Sequence, residues 1–154
     1  MVHLLRSVTV ELDLLAASFA GRNQLHPTDL RALIALLDAE RADQPASPTG
    51  LGATLGLNSA SVTAVVDRLE RLGYVERVRD TGDRRRVRLV VTPVAKAVGW
   101  AFFGPLIERL VDAMRAFDAT ELATIARFLT TAATVIRTTQ PTPDPPAPVN
   151  RRVS

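Results

Sequence analysis

The residues with the most specific chemistry in this sequence lie between positions 77 and 88, in the stretch RVRDTGDRRRVR. Six arginines and two aspartates give these twelve residues a net charge of +4, although the whole chain of 154 residues carries only +3. A guanidinium group can form two parallel hydrogen bonds to a phosphate or to the edge of a guanine. Such a concentration of positive charge is typical of a nucleic-acid-binding surface. The alternative is a hairpin whose arginines only keep it solvated, and the charge alone favours neither interpretation.

A second group of candidate residues lies just upstream, in the stretch NSASVTAVVDRLERLG at positions 58–73. Asn58 is a favourable N-cap, and the valines and leucines that follow it recur at helical spacing. Ser59, Ser61 and Thr63 have short side chains, so they allow a helix to approach the floor of the major groove. Their hydroxyls can bind phosphates or base edges, and the methyl group of Thr63 can contact a thymine methyl. Each of these residue types is common at a helix start, but the basic stretch downstream favours DNA binding.

The elements that must position these residues follow one another in the order of a winged helix. A short helix is predicted at 48–56, with Ser47 as its N-cap. A tight turn and the second helix, which Gly73 closes, complete a helix-turn-helix. Apolar and polar residues then alternate at 74–79 and 87–92, which predicts the two strands of a hairpin. The predicted fold class is mainly α-helical with a small β wing of two or three strands. The wing tip can reach the minor groove beside the major groove that the helix occupies.

Long stretches on both sides of this region also have apolar residues at helical spacing. They hold more apolar surface than a small DNA-binding unit can cover, which favours dimerisation. We expect residues 1–138 to form one domain, in which 27–92 bind DNA and the helices at 1–20 and 94–138 form the dimer. Residues 139–154 are rich in proline and poor in apolar side chains, so we predict a disordered tail there.

The stretch LGLNSASVTAVVDRLERLGYVERVRDTGDRRRVRLVVTP resembles the MarR (multiple antibiotic resistance regulator) family of transcriptional regulators. The family pattern begins with leucine-glycine-leucine and continues with a recognition helix that contains valine-threonine and aspartate-arginine-leucine-glutamate. A glycine follows, and then a wing with aspartate-arginine-arginine that ends in threonine. In this sequence the motifs are Leu55–Leu57, Val62–Thr63, Asp67–Glu70, Gly73, Asp83–Arg85 and Thr92.

This resemblance implies a role for each matching residue in DNA binding. Arg85 would be the wing-tip arginine that enters the minor groove, and Asp83 would orient a neighbouring arginine by a charge-assisted hydrogen bond. Arg68 would touch the DNA backbone or brace the wing, while the short polar residues of the recognition helix would face the major groove. The predicted DNA-binding residues are Asn58, Ser59, Ser61, Thr63, Arg68, Asp83, Arg84, Arg85 and Arg86.

Three positions depart from the family pattern. Ala60 and Ala64 stand where many members have a polar side chain, which leaves the recognition helix few groups for hydrogen bonding to bases. The shape of the DNA and the wing arginines would then have more weight in recognition. Gly52 replaces a usual alanine in the supporting helix, which raises the question of how rigid that helix is.

The resemblance further implies a homodimer in which each recognition helix meets one half of a palindromic promoter site. The half-sites would lie about 34–36 Å apart. It also implies repression that is relieved by a small aromatic or phenolic effector. Candidate residues for the effector pocket are Phe19, His26, Trp100 and Phe103, although such residues more often belong to a core. Two alternatives remain open, namely an architectural protein that binds DNA without sequence preference and a winged helix that contacts another protein.

The composition argues against several other classes of protein. Cysteine is absent, which excludes disulfides and thiol-based sensing, and two histidines are too few for a convincing zinc site. No nucleophile with a matching base and no glycine-rich phosphate loop occurs, so we expect neither enzymatic activity nor a cofactor. The charged residues Arg6, Glu11 and Asp13 interrupt the apolar start of the chain, so we expect no signal peptide, no membrane span and a cytoplasmic protein.

Overall fold

The computed structural model describes residues 1–79 and 87–139, which form helices and one hairpin. In chain order the elements are α1 (Val2–Arg22), α2 (Pro27–Arg41), α3 (Pro48–Leu55), α4 (Ser59–Arg71), β1 (Val75–Arg79), β2 (Val87–Val91), α5 (Pro93–Met114) and α6 (Ala119–Thr139). The predicted fold class, mainly α-helical with a small β wing, is confirmed. The predictions for Asp83, Arg84, Arg85, Arg86 and the proline-rich tail fall on residues 80–86 and 140–154, which lie outside the described residues.

The chain divides into two compact units, Met1–Pro105 and a second unit that begins at Leu106. The boundary therefore falls inside α5, at a proline within the helix. Proline has no backbone N–H and crowds the preceding turn, so the helical hydrogen-bond ladder is interrupted at this position.

A single hydrophobic core occupies the first unit. α4 contributes one complete face to it, and Val66 and Leu69 on this face are almost fully buried. The other buried apolar residues come from the end of α1, the turn after it, α2, α3 and both strands. They include Phe19, Leu25, Leu30, Leu33, Leu36, Leu51, Val75, Leu89 and Val91. The helix-turn-helix and the hairpin thus share one core.

Local signals define the ends of α3 and α4 as the sequence predicts. The Ser47 hydroxyl accepts a hydrogen bond from the Gly50 N–H at 3.1 Å and caps α3. Gly73 has φ +72° just after α4, and its N–H and that of Tyr74 donate to the carbonyls of Glu70 and Leu69. This pair of bonds is a Schellman arrangement, which ends a helix and turns the chain sharply into the next element.

Gly52, one of the positions that depart from the family pattern, lies on α3 against the turn to α4 and the Val62 side chain. A Cβ atom there would lie 3.0 Å from the Leu57 carbonyl oxygen and 3.0 Å from a Val62 methyl. The Gly52 carbonyl also accepts the Leu57 N–H at 2.9 Å, within the turn between the two helices. A glycine at this position therefore permits the tight packing of the turn, at the cost of a lower helix propensity.

The hairpin is antiparallel, with Val75 opposite Val91 and Arg77 opposite Leu89. Val75, Leu89 and Val91 point into the core, while Val78 and Val90 are exposed. On the other side of β2, the Leu89 N–H donates to the carbonyl of Ala46 at 2.9 Å. This bond attaches the hairpin to the segment that precedes α3. Within the described residues, the sheet of the wing has two strands.

In the second unit, α6 begins with a capping box, for which the D-x-x-E spacing of Asp118 and Glu121 is the sequence signal. The Asp118 carboxylate accepts the N–H groups of Thr120 and Glu121 at 2.8 Å, and the Glu121 carboxylate accepts the Asp118 N–H at 2.8 Å. No residue of α6 is buried. The helix is well capped, but the described residues leave its large apolar side chains exposed.

Candidate nucleic-acid interface

Helix α4 presents two opposite faces to its surroundings. Val62, Val65, Val66 and Leu69 lie on one face and are all buried. Successive residues of an α-helix are about 100° apart, so positions 60, 63, 64 and 67 share the opposite face. These positions hold Ala60, Thr63, Ala64 and Asp67, and all four are exposed. The buried face fixes the helix in the core, and the exposed face is available for a partner.

The N-terminal end of α4 is organised by Asn58. Its side-chain oxygen accepts the Ser61 N–H at 2.9 Å, which is the N-cap bond expected from the sequence. Ser59 is exposed and Ser61 is partly buried. The Thr63 hydroxyl donates to the Ser59 carbonyl at 2.9 Å, within the helix. The structure thus brings Asn58 and the three predicted major-groove residues together at one helix end.

Arg68 has a partner that the sequence analysis did not predict. Its guanidinium group donates three hydrogen bonds to the Asp29 carboxylate, from Nη2 to Oδ1 at 2.6 Å and from Nε to both oxygens at 3.2 Å. Asp29 is completely buried near the start of α2, where it also accepts the His26 N–H at 3.0 Å. The pair joins α2 to the recognition helix. The hydrogen bond to Asp29, together with its charge, raises the pKa of Arg68 above its usual value against the opposing effect of burial.

Arg77, and not Arg68, braces the wing against α4. Bracing the wing was one of the two roles predicted for Arg68, and in the structure Arg68 binds Asp29 instead. Arg77 lies on β1 and forms ion pairs with Asp67, at 2.7 Å, and with Glu70, both on α4. Its backbone N–H also donates to Glu70 at 3.2 Å. Arg68 is bound on the opposite side, to α2, because that is where the buried carboxylate lies. A contact between Arg68 and DNA stays a prediction.

Sequence reasoning missed Asp29, and it counted Arg77 only as part of the basic stretch. From the sequence alone, Asp29 is only an acidic residue in the first turn of a helix, a favourable position that indicates no distant partner. Its burial depends on the packing of α4 against α2, which involves residues 39 positions apart. For the ion pairs between Arg77 and α4, the sequence does hold a signal: Asp67 and Glu70 are three positions apart on a helix, and an arginine follows on the next strand.

The predicted effector residues lie in two different environments. Phe19 and Phe103 pack together with ring centroids 4.9 Å apart, and Phe102 contacts both rings. Trp100 is 59% exposed, and His26 is exposed at the start of α2. A cleft of about 170 Å³ in the first unit lies elsewhere, between the end of α2 and β2, with Glu40, Asp43 and Arg88 among its lining residues. Effector binding by the four predicted residues stays a prediction.

The described residues contain neither a cluster suited to a metal ion nor a helix suited to a membrane span. Across 1–79 and 87–139, no group of three or more histidine, aspartate or glutamate side chains is arranged to hold a metal ion. Within the same residues, no helix combines the length and the hydropathy that a membrane span requires.

A helix-turn-helix whose second helix exposes a face of small side chains, followed by a two-stranded wing, defines the winged-helix class of DNA-binding proteins. A sequence model of the MarR family matches residues 23–86. The HTH-type transcriptional regulator YcgE of Bacillus subtilis is 37% identical over 135 residues, which cover 88% of this chain and 85% of YcgE. The chain belongs to the MarR family of transcriptional regulators. These are DNA-binding regulators and not enzymes, which confirms the expectation that this chain is not an enzyme.

Two further proteins are similar over part or most of the chain. The HTH-type transcriptional repressor YetL of B. subtilis is 35% identical over 79 residues, 51% of this chain and 46% of YetL. A crystal structure of a mutant of MepR from S. aureus has a TM-score of 0.71 and 17% identity, and the match covers 87% of this chain and 95% of that one. At this identity the likeness to MepR shows the fold alone. MepR has also been solved in complex with DNA and with ethidium bromide.

Proposed function

We propose that this regulator is a homodimeric repressor that binds a palindromic promoter site in the cytoplasm and is released by a small aromatic or phenolic effector. The observation that carries the proposal is the arrangement of α4. One of its faces is fully buried, the opposite face is exposed, and ion pairs hold it to α2 on one side and to the wing on the other. A helix held in this way can enter a groove without changing its own position.

In this proposal α4 lies in the major groove and the wing tip lies in the adjacent minor groove. Ser59, Ser61 and Thr63 approach the base edges, and Asn58 lies at the helix end that faces a phosphate. Arg84, Arg85 and Arg86 with Asp83 supply the minor-groove contact, which depends on groove width more than on base sequence. The MepR complex with DNA supports this role for the fold.

The proposed dimer rests on apolar side chains that the single chain leaves exposed. α1 exposes Val2, Leu4, Val8, Val10, Leu12 and Leu14. In the second unit, the exposed apolar residues are Ile107, Leu110, Val111, Met114, Phe117, Ile125, Phe128, Leu129, Val135 and Ile136. So many large apolar side chains exposed on each of the two units favour a protein interface. A symmetric dimer would cover it and present two copies of α4 to the halves of a palindrome.

Repression and effector control are the finer parts of the proposal. A dimer bound across a promoter blocks the access of other proteins to it, and YetL, similar over half of this chain, is named a repressor. Effector control requires that a ligand bind the DNA-free form more tightly than the DNA-bound form. The cluster of Phe19, Phe102 and Phe103 with exposed Trp100 nearby in sequence is the candidate region, and MepR, which shares the fold, has been solved with the aromatic compound ethidium bromide.

The proposal is tested by fluorescence anisotropy on labelled duplexes at several salt concentrations. One duplex holds the DNA upstream of this protein's own gene, and the other holds the same bases in scrambled order. We expect tighter binding to the upstream duplex by about a thousandfold or more, at one dimer per duplex. Arg85→Ala should weaken binding and reduce the slope of the salt dependence by about one. Arg115→Ala, which removes an exposed arginine just after α5, is the matched control and should change neither.

Each other result points to one of the remaining alternatives. Equal affinity for both duplexes, repeated with sites selected from random DNA, would favour an architectural protein without sequence preference. Absence of binding to any duplex at low salt would contradict the DNA-binding role and leave the winged helix as a protein-contact surface.

A further inference from the structure

The first two turns of α4 expose unusually small side chains for a DNA-reading helix. The exposed residues from 59 to 64 are Ser59, Ala60, Thr63 and Ala64. Arginine, asparagine and glutamine, which read guanine and adenine by paired hydrogen bonds, are absent from these positions. Asp67 is the next residue on this face, and it is bound to Arg77 on the wing. The outward surface is therefore composed of methyl groups and short hydroxyls.

The hydroxyl of Thr63 is already used within the helix. It donates its hydrogen to the Ser59 carbonyl at 2.9 Å, so it has no hydrogen left for an acceptor on a base. In the major groove, guanine presents two acceptors and thymine presents one, at O4. Thr63 can donate to none of these without breaking its bond to the helix. The groups that it can offer are a methyl group and an oxygen that accepts.

An A·T base pair matches both of these groups. Its major-groove edge has the thymine 5-methyl group and the adenine amino group, which donates hydrogen bonds. Ala60 and Ala64 stand one turn or less from Thr63 on the same exposed face, so they enlarge the apolar surface around its methyl. Because none of these side chains is long, the helix backbone can approach the base edges until the methyl groups touch.

We infer that α4 reads thymine by its 5-methyl group, with the methyl of Thr63 as the specificity-determining contact and Ala60 and Ala64 beside it. This inference rests on the proposed DNA-binding function and names the bases that the helix recognises. The alanines that depart from the family pattern are then part of the recognition surface. The ion pairs of α4 with Asp29 and with Arg77 hold this surface in a fixed position relative to α2 and the wing.

The test uses the full chain and duplexes selected by it from a random-sequence library. In the best selected duplex, each thymine is replaced in turn by deoxyuridine, which removes only the 5-methyl group. We expect at least one replacement in each half-site to weaken binding about fourfold, the effect of one buried methyl-sized group. Two matched variants then assign the contact. Thr63→Val keeps the methyl and removes the hydroxyl, whereas Thr63→Ser keeps the hydroxyl and removes the methyl.

The inference predicts that Thr63→Val stays sensitive to deoxyuridine at the same position and that Thr63→Ser binds both duplexes equally. Thr63 is exposed, so both variants should fold, which circular dichroism checks. Specific binding with no effect of any deoxyuridine would overturn the inference and leave the proposed function intact. Sensitivity that persists in Thr63→Ser would assign the methyl contact to another residue and overturn the role of Thr63. A selection without any preferred sequence would contradict the proposed function itself.

Discussion

The helix-turn-helix with its wing and helix α6 differ in how their apolar side chains are covered. Among the described residues from α2 to β2, most of the apolar side chains are buried or partly buried by neighbouring elements of the same chain. In α6, no residue is buried, although large apolar residues recur along it. Both regions have strong helix signals and good caps, so local sequence does not cause the difference. The first region has a core of its own, whereas the described part of the chain leaves the large apolar side chains of α6 exposed.

The largest expected effect tests whether a second copy covers α6. Leu129→Arg places a charge on the exposed apolar stripe of α6, which contains Ile125, Leu129 and Ile136. An interface residue of this kind contributes about 2 kcal/mol or more, and it occurs twice in a symmetric dimer. The dimer dissociation constant should therefore rise roughly a thousandfold, which analytical ultracentrifugation measures. Ala123→Arg adds the same charge away from this stripe and should leave the dimer intact. An unchanged dimer in both variants would show that α6 does not form the interface.

The second prediction concerns the ion pair that joins α2 to α4. Arg68→Ala leaves the Asp29 carboxylate buried without its cation, which should lower the free energy of unfolding by about 3 kcal/mol in urea. Arg41→Ala removes an arginine from a pair with Asp38 that is exposed on both sides, and it should cost less than about 1 kcal/mol. The pKa of Arg68 is raised, so its contribution is fully present below the ordinary arginine value and is lost only above it. The loss of unfolding free energy in Arg68→Ala should therefore stay the same across the neutral pH range, because Arg68 remains protonated throughout it.

Equal losses in Arg68→Ala and Arg41→Ala would contradict the assignment of a structural role to the buried pair. A DNA-binding measurement on the same proteins adds a second readout. If the pair positions α4, Arg68→Ala should weaken specific binding even under conditions in which the variant is fully folded.

The helix caps and the Asp29–Arg68 pair show which features can be predicted from the sequence and which cannot. The caps at Ser47, Asn58 and Asp118 and the stop at Gly73 involve residues within a few positions of one another, so the sequence predicts them correctly. The fold class follows from the order of such local signals. The Asp29–Arg68 pair joins positions far apart in the chain, and its formation depends on how α4 packs on α2. A motif places Arg68 on a helix but does not say which carboxylate the fold brings to it.

A third prediction compares two glycines in helices. Gly52→Ala forces a Cβ against the Leu57 carbonyl and Val62, and such overpacking should cost about 1–3 kcal/mol. Gly21→Ala, near the end of α1, meets nothing within 4 Å and should stabilise the protein by up to about 1 kcal/mol. Urea unfolding should thus show shifts of opposite sign. A stabilising effect at both positions would mean that α3 can move away from α4 at little cost.

The smallest expected effect compares the caps of the two regions. Ser47→Ala removes the cap of α3, and Asp118→Ala removes the cap of α6; each should cost about 1 kcal/mol. The two losses should appear in different measurements, because α3 packs in the core of the first unit and α6 has no buried residue in the single chain. Ser47→Ala should shift the urea midpoint and leave the dimer dissociation constant unchanged. Asp118→Ala should weaken the dimer severalfold, because the ordering of α6 is coupled to association. A dimer unaffected by Asp118→Ala would mean that α6 is ordered before the partner arrives, so its exposed face would be a preformed surface.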